Sequence, residues 1–313
     1  MMNIDFNEGY PLKDFPQILE KYPIIPHSLI HPHDAKIKNT SMIKFIEIKV
    51  NDTEVLLLYK FVKMMKVQFV RLLHTPISIT NDIELNKRVL KLLSQHPLIT
   101  QLITTEKDLT THNLPIPKDV YAYDFYSLLE PKFVEVNKGK HKSKIKYTKY
   151  KDRIQFMKVD ITHYDAISHI LSAWMSNKID TSELFNKKTF SNIQRNYSKL
   201  ILDDNFLIYI TLFDNIPIAF EVLSKQGNHL YQLVNQAYPT LDYYVQLFND
   251  YELAKEIHAY VHKWQHLLTI NEFHDSYEYI NYGYAQDVNG GLYNFKNMLY
   301  RDRFLLYKLI FKK

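Results

Sequence analysis

Phe206-Leu207-Ile208-Tyr209-Ile210-Thr211-Leu212-Phe213, Asp214-Asn215, Ile216-Pro217-Ile218-Ala219-Phe220-Glu221-Val222-Leu223: two apolar runs with a two-residue break between them. Eight residues rich in isoleucine, leucine and aromatic side chains suit a buried strand. Asp214-Asn215 is a turn signal. Gln226-Gly227-Asn228 is a second turn, and His229-Leu230-Tyr231-Gln232-Leu233-Val234 a third run. The stretch predicts a three-stranded antiparallel meander, and the rest of the chain arranges itself around it.

Upstream, 154–159 reads as a strand, Thr162-His163-Tyr164-Asp165 opens a helix through Ala173, Trp174 and Met175, and a second helix spans about 190–202. Downstream come a helix over about 251–268, a strand at 277–282, a short helix at 292–300 and a closing strand at 304–311. The order is β-α-α-β-β-β-α-β-α-β. The first half holds a similar, shorter series. Met42-Ile43-Lys44-Phe45-Ile46-Glu47-Ile48-Lys49-Val50 alternates apolar and polar residues, the period of a half-buried strand. Asn51-Asp52 is a turn, 55–59 and 67–73 are strands, and Thr80-Asn81-Asp82 caps a helix over 83–95. Strands at 98–104 and 120–125 follow. The fold class is α+β: two tandem units, each a mixed, mostly antiparallel sheet flanked by helices. The expected division is an N-terminal extension (1–40), a degenerate first unit (41–131), a basic connecting segment (132–151) and a second unit (152–313).

A chain of 313 residues with 46% apolar residues has material for two cores. Its net charge of +5 is mild and excludes a dedicated nucleic-acid coat. No cysteine is present, which removes disulfides, thiolate catalysis and Cys-ligated metals. The first residues show no signal peptide, and no run of about 18 apolar residues predicts a membrane span, so a cytoplasmic chain is expected.

Three segments resemble a known family. Leu73-His74-Thr75-Pro76-Ile77 stands like a strand end before a helix. Lys140-His141-Lys142-Ser143-Lys144-Ile145-Lys146 resembles a basic joining segment. Gly291-Leu292-Tyr293-Asn294-Phe295-Lys296, with Tyr279-Ile280-Asn281-Tyr282-Gly283 before it, resembles a C-terminal "G-L-x-x-F-K" phrase. Together with the element order, these resemble the GNAT acyltransferase fold in its tandem form, the FemABX-like family of aminoacyl-tRNA-dependent peptidyltransferases. The resemblance covers roughly residues 41–313. It departs from the family where Asn281 and Tyr282 replace an acidic residue, Tyr284 replaces a second glycine, and lysine stands for arginine in the basic segment.

The resemblance implies an N-acyltransferase: an amine attacks an activated acyl carbonyl. Such a step needs a group to stabilise the oxyanion and a proton path to the leaving oxygen. Lys296 is the candidate for the first and Tyr282 for the second. The chain has only six glycines, and Gly283, Gly290 and Gly291 fall within nine residues. Glycine concentrated in this way marks a turn where backbone geometry matters. With Phe295, these glycines form the candidate substrate-binding turn. Eight lysines lie between 132 and 151, opposed only by Glu135. Of these, Lys138, Lys140, Lys142, Lys144 and Lys146 are the candidate contacts for phosphates of tRNA or of a nucleotide-linked acceptor. A solvated charged face is the alternative.

No tightly bound cofactor is expected; the donor is aminoacyl-tRNA or acyl-CoA. Residues 235–244 follow the third meander strand, where a CoA pyrophosphate loop would lie, and contain no glycine, lysine or arginine. That favours the aminoacyl ester. An acyl-CoA-dependent enzyme with an unusual acceptor (a lipid, a sugar nucleotide or a nucleic-acid base) and a non-catalytic nucleic-acid-binding module are the alternatives. Two histidine groups raise metal binding. His27, His31 and His33 are interrupted by Pro26 and Pro32. His258, His262 and His266 share a helix face but gather no further ligand. The latter are expected to form a solvated face, and no metal site is assigned.

Overall fold

The computed structural model describes residues 4–22, 30, 43–64, 67–129, 141–177, 184–286, 290, 293–294, 296–297 and 302–311. In chain order its strands are β1 (Tyr10–Pro11), β2 (Lys44–Val50), β3 (Thr53–Met64), β4 (Val67–Leu72), β5 (Ile77–Ser78), β6 (Ile99–Thr105) and β7 (Ala122–Leu128). They continue with β8 (Ile154–Lys158), β9 (Phe206–Phe213), β10 (Ile216–Gln226), β11 (His229–Ala237), β12 (Tyr279–Ala285) and β13 (Asp302–Ile310). The helices are α1 (Ile83–Ser94), α2 (Glu106–Thr111), α3 (His141–Tyr150), α4 (Tyr164–Asn177), α5 (Leu184–Ile201), α6 (Leu241–Phe248) and α7 (Tyr251–Phe273). The chain divides into two compact units. One comprises residues 1–125, 283–294 and 302–313, the other 126–282 and 295–301.

In the first unit the strands lie in the order β1-β2-β3-β4-β6-β13, with β5 beside β3. β2, β3 and β4 form an antiparallel meander, β6 joins β4 in parallel, and β13 closes against β6 antiparallel. The β2–β3 turn is Asn51-Asp52, with φ of 49° and 64°. Both residues are left-handed, as the two-residue hairpin demands. Alternate residues of β3 enter opposite cores. Val55, Leu57 and Tyr59 meet Leu85, Val89, Leu90 and Leu93 of α1, whose N-terminus is capped by the Asp82 side chain. Leu56 and Leu58 meet Leu12, Leu19, Tyr22 and Ile30.

That second core corrects the expectation of an N-terminal extension over 1–40. The described part of that stretch covers the outer face of the first unit's sheet, and β1 pairs with β2. The physical reason is the unbroken apolar run 55–59: a strand that is apolar on both faces needs cover on both. Gly9 belongs to this packing. A Cβ there would lie 1.8 Å from the Tyr59 hydroxyl and 2.9 Å from the Phe45 carbonyl oxygen. A second difference concerns the other end of the chain. The sequence reading carries the second unit to residue 313, whereas β13 pairs from Leu306↔Thr105 to Ile310↔Gln101 inside the first unit.

The second unit repeats the pattern. Its order is β8-β9-β10-β11-β12. β8 to β11 are antiparallel and β12 joins β11 in parallel. The β9–β10 turn is Asp214-Asn215, left-handed at both residues (φ 49° and 65°). Pro217, which cannot donate to a ladder, stands where the β9–β10 register shifts. Between β11 and β12 lie α6 and α7. α6 ends on the left-handed Asn249 (φ 49°), and Asp250 caps α7 through the Leu253 N–H. The sequence reading missed α6, whose eight residues are short for the periodicity to register. Both units are thus a meander, a helical crossover and a parallel strand, an α+β arrangement throughout.

Candidate active site

In the second unit, β11 and β12 are paired only from His229↔Tyr279 to Tyr231↔Asn281. β11 continues to Ala237 outside that register, and the next residue of β12 is Tyr282. Two parallel strands that part in this way leave backbone N–H and C=O groups that must find other partners. At Tyr282 the partner is Lys296, whose ammonium donates to the Tyr282 carbonyl oxygen at 2.5 Å. Lys296 is half-buried in a helical turn with Asn297. A lysine held this way places a positive charge where the β11–β12 pairing ends.

The hydroxyl of Tyr282 lies on the other side of its residue. It is 2.7 Å from His266 Nδ1, and both side chains are buried. His262, one turn earlier on α7, donates from Nδ1 to Asn235 Oδ1 at 2.7 Å. Desolvation holds the His262 imidazole below its ordinary pKa, with His258 adding to the effect. The expectation of a solvated histidine face holds for His258, which is exposed, and is corrected for His262 and His266. His262 and His266 turn toward the sheet, because polar side chains on β11 and β12 stand opposite and complete their hydrogen bonds.

The same side of α7 carries Thr269. It bonds Glu221 of β10 (Oγ1 to Oε1, 2.6 Å), and Gln232 of β11 donates to the other carboxyl oxygen at 2.9 Å. Glu221 is 0% exposed. Burial raises its pKa to about 7, against the two hydrogen bonds. The sequence reading passed over this group. Its only signal was one glutamate inside the apolar run 216–223.

The other candidates fall as follows. Gly283 adopts φ 77°, a left-handed conformation that favours glycine. Gly290 is half-buried, and its carbonyl accepts from Asn294 N at 3.1 Å. Gly291 and Phe295 lie outside the described residues, as do Lys138, Lys140 and the cluster His27, His31 and His33. Lys142 and Lys144 are on α3, their side chains outside the description. Lys146 forms an ion pair with Glu256 of α7, and the Tyr150 hydroxyl donates to the same carboxylate at 2.7 Å. Among the described residues no group of three potential ligands could hold a metal ion, and no helix is long and apolar enough to cross a membrane.

No protein-family model matches the chain, and no curated protein matches it. Solved structures do. A conserved protein of unknown function from Bacteroides thetaiotaomicron superposes with a TM-score of 0.64 at 12% identity, over 97% of this chain and 99% of that one. L-PGS from Bacillus licheniformis gives 0.54 at 12% identity over 99% and 94%. FemX gives 0.54 at 11% identity over 98% and 97%. Likeness at this level of identity is likeness of fold, and it spans nearly the whole chain. The fold is the one shared by FemX and L-PGS.

Proposed function

We propose that the chain is an N-acyltransferase that moves an aminoacyl or acyl group from an activated donor to an amine. The observation that carries this reading is the parting of β11 from β12 with the Lys296 ammonium fixed at its edge. The acyl carbonyl lies where the β11–β12 register ends. The acceptor amine attacks in its neutral form, and negative charge develops on the carbonyl oxygen. A preorganised ammonium stabilises that oxyanion without the reorganisation that water would need. Collapse of the tetrahedral intermediate expels the donor oxygen, which takes up a proton. Tyr282, with His266 behind it, is the proposed route for that proton. Gly283, Gly290, Gly291 and Phe295 are proposed to contact the substrate.

The donor proposed is an aminoacyl ester of tRNA rather than acyl-CoA. α6 begins where a pyrophosphate would be held. It carries Asp242 in its first turn, no side-chain cap at Thr240, and no cation nearby in the sequence. A negative charge there opposes a bound diphosphate. The tRNA phosphates are assigned to Lys138, Lys140, Lys142 and Lys144. Lys146 contributes less, since Glu256 already answers its charge.

The test is a transfer assay with aminoacyl-tRNA and a panel of amine acceptors, run beside calorimetric titration with acyl-CoA. Transfer that falls about a hundredfold in Lys296→Ala, with the fold intact, is the expected result. Saturable acyl-CoA binding at micromolar concentration would overturn the aminoacyl donor. Wild-type activity in Lys296→Ala would remove Lys296 from the chemistry.

A further inference from the structure

His262, His266 and Thr269 recur at i, i+4 and i+7 on α7, so they share one face. Each is bonded to a different strand. Thr269 meets Glu221 of β10, His262 meets Asn235 of β11, and His266 meets Tyr282 of β12. The helix therefore grips three neighbouring strands in order, one hydrogen bond apiece. Two of the three bonds lie where β11 and β12 are no longer paired to one another. Past that point the ladder no longer sets the strand spacing of about 4.8 Å. Side chains of α7 hold it instead.

The β10 anchor has an unusual hydrogen inventory. Thr269 Oγ1 is 2.6 Å from Glu221 Oε1 and 2.8 Å from the Gln265 carbonyl oxygen. Both are distances of O–H···O bonds, yet a threonine hydroxyl has one hydrogen. If that hydrogen serves an ionised Glu221, the contact with Gln265 is left with none. If it serves Gln265, the contact with Glu221 needs a hydrogen from the carboxyl group itself. Only the protonated acid fills both contacts. Glu221 is wholly buried, and its hydrogen-bond partners among the described residues, Thr269 and Gln232, are both neutral. An isolated carboxylate in such a place carries a large desolvation cost.

We propose that Glu221 is a buried neutral carboxylic acid whose proton closes the α7 clasp, and that Glu221, His262, His266 and Thr269 are positioning residues fixing the gap between β11 and β12. Losing the Glu221 proton loosens the clasp from the β10 side. The catalytic consequence rests on the acyl-transfer reading above; the clasp itself does not. The ionisable groups facing Glu221 are few. Tyr209 stands opposite it on β9 and donates to Glu272 of α7 at 3.0 Å. Burial raises the Tyr209 pKa further, so it stays neutral. α7 brings His262 and His266, and β11 brings the amides Gln232 and Asn235. α4 also packs on β10, but its His169 is bonded to Tyr238 at 2.8 Å.

The sign follows from the direction of the shift. A carboxyl whose folded pKa is raised to about 7 gives stability that is fully present below its unfolded value near 4.5 and is lost as pH rises through about 7. Glu221→Gln tests this, because an amide keeps a donor for Thr269 and an acceptor for Gln232 but cannot ionise. Chemical denaturation of both chains from pH 5 to pH 8 isolates the group by difference. Between those limits the wild-type folding equilibrium constant is expected to drop roughly fifty- to a hundredfold relative to the variant. Amide exchange in Gln232–Ala237 of wild type should rise over the variant above pH 7. Infrared difference spectra of the wild-type chain supply a readout that needs no variant: a protonated-carboxyl C=O band present at pH 6 and gone at pH 9. Parallel stability curves, or no such band, would overturn the proposal. Clasp signals without acyl transfer to any amine would leave the clasp standing and remove the enzymatic reading; transfer with parallel curves would do the reverse.

Discussion

Gly9 shows how one residue type decides a local packing. The site where its Cβ would be is 1.8 Å from the Tyr59 hydroxyl, and that hydroxyl donates to the Phe6 carbonyl at 2.5 Å. Tyr59 is fully buried and cannot swing aside. Gly9→Ala should therefore cost about 1–3 kcal/mol in urea unfolding, the range for overpacking a tight site. Removing the obstructing oxygen should recover part of it. The double variant Gly9→Ala/Tyr59→Phe is expected to be more stable than the sum of the two single changes, with a coupling of about 0.5–3 kcal/mol. Strict additivity would mean that the backbone at Gly9 moves instead. Gly283 tests a different property, since its φ of 77° strains any residue with a Cβ. Glycine scarcity in the sequence singled out Gly283 as a place where backbone geometry matters, and its φ is positive. Nothing local pointed to Gly9, because the tyrosine it accommodates lies fifty positions away in the chain.

Among the elements, α3 and α7 show where reading a sequence along the chain stops working. The meander 206–234 and both two-residue turns were legible, because strand periodicity and left-handed Asn and Asp are local properties. The lysine run was legible as charge but not as a partner. Glu256, which pairs with Lys146 and accepts from Tyr150, sits on α7 far along the sequence. The polar face of α7 looked solvated for a similar reason. Its partners Glu221, Asn235 and Tyr282 are polar side chains on three different strands, brought together only by the sheet. The α3–α7 contact has a testable pH signature. Lys146 first, then Tyr150, pull the Glu256 carboxyl down to about 2. A lowered folded pKa contributes stability above the unfolded value near 4.5, and that contribution disappears as pH falls through about 2. The pair is partly exposed, so screening limits it. Glu256→Gln should lower stability at pH 7 by about 1 kcal/mol or less, and by less still in molar salt. A loss that is independent of salt would assign the effect to packing around Tyr150 rather than to charge.

At the scale of the whole chain, the first unit is closed by a strand that follows the second unit in sequence. Residues 126–282 intervene between most of that unit and β13, so β6 has no β13 beside it until the chain reaches residue 310. Pairing so distant in sequence makes loop closure a large part of the folding cost. Until then β6 presents an unpaired edge carrying Leu102, Ile103 and Thr104, an apolar template for other chains. The sequence showed 304–311 as a strand but gave no means to tell which sheet it would join, since its apolar alternation suits either. A chain ending at residue 301 should therefore retain helical signal from the second unit and lose cooperative unfolding of the first. It should also aggregate in proportion to concentration. A synthetic peptide of residues 302–313 added in trans is expected to restore the first unit's transition and suppress aggregation. Replacing Leu306, which is fully buried, with Asp in that peptide should abolish the rescue. If the truncated chain unfolds as sharply as the full one, β13 is a covering strand and not part of the first unit's cooperative core.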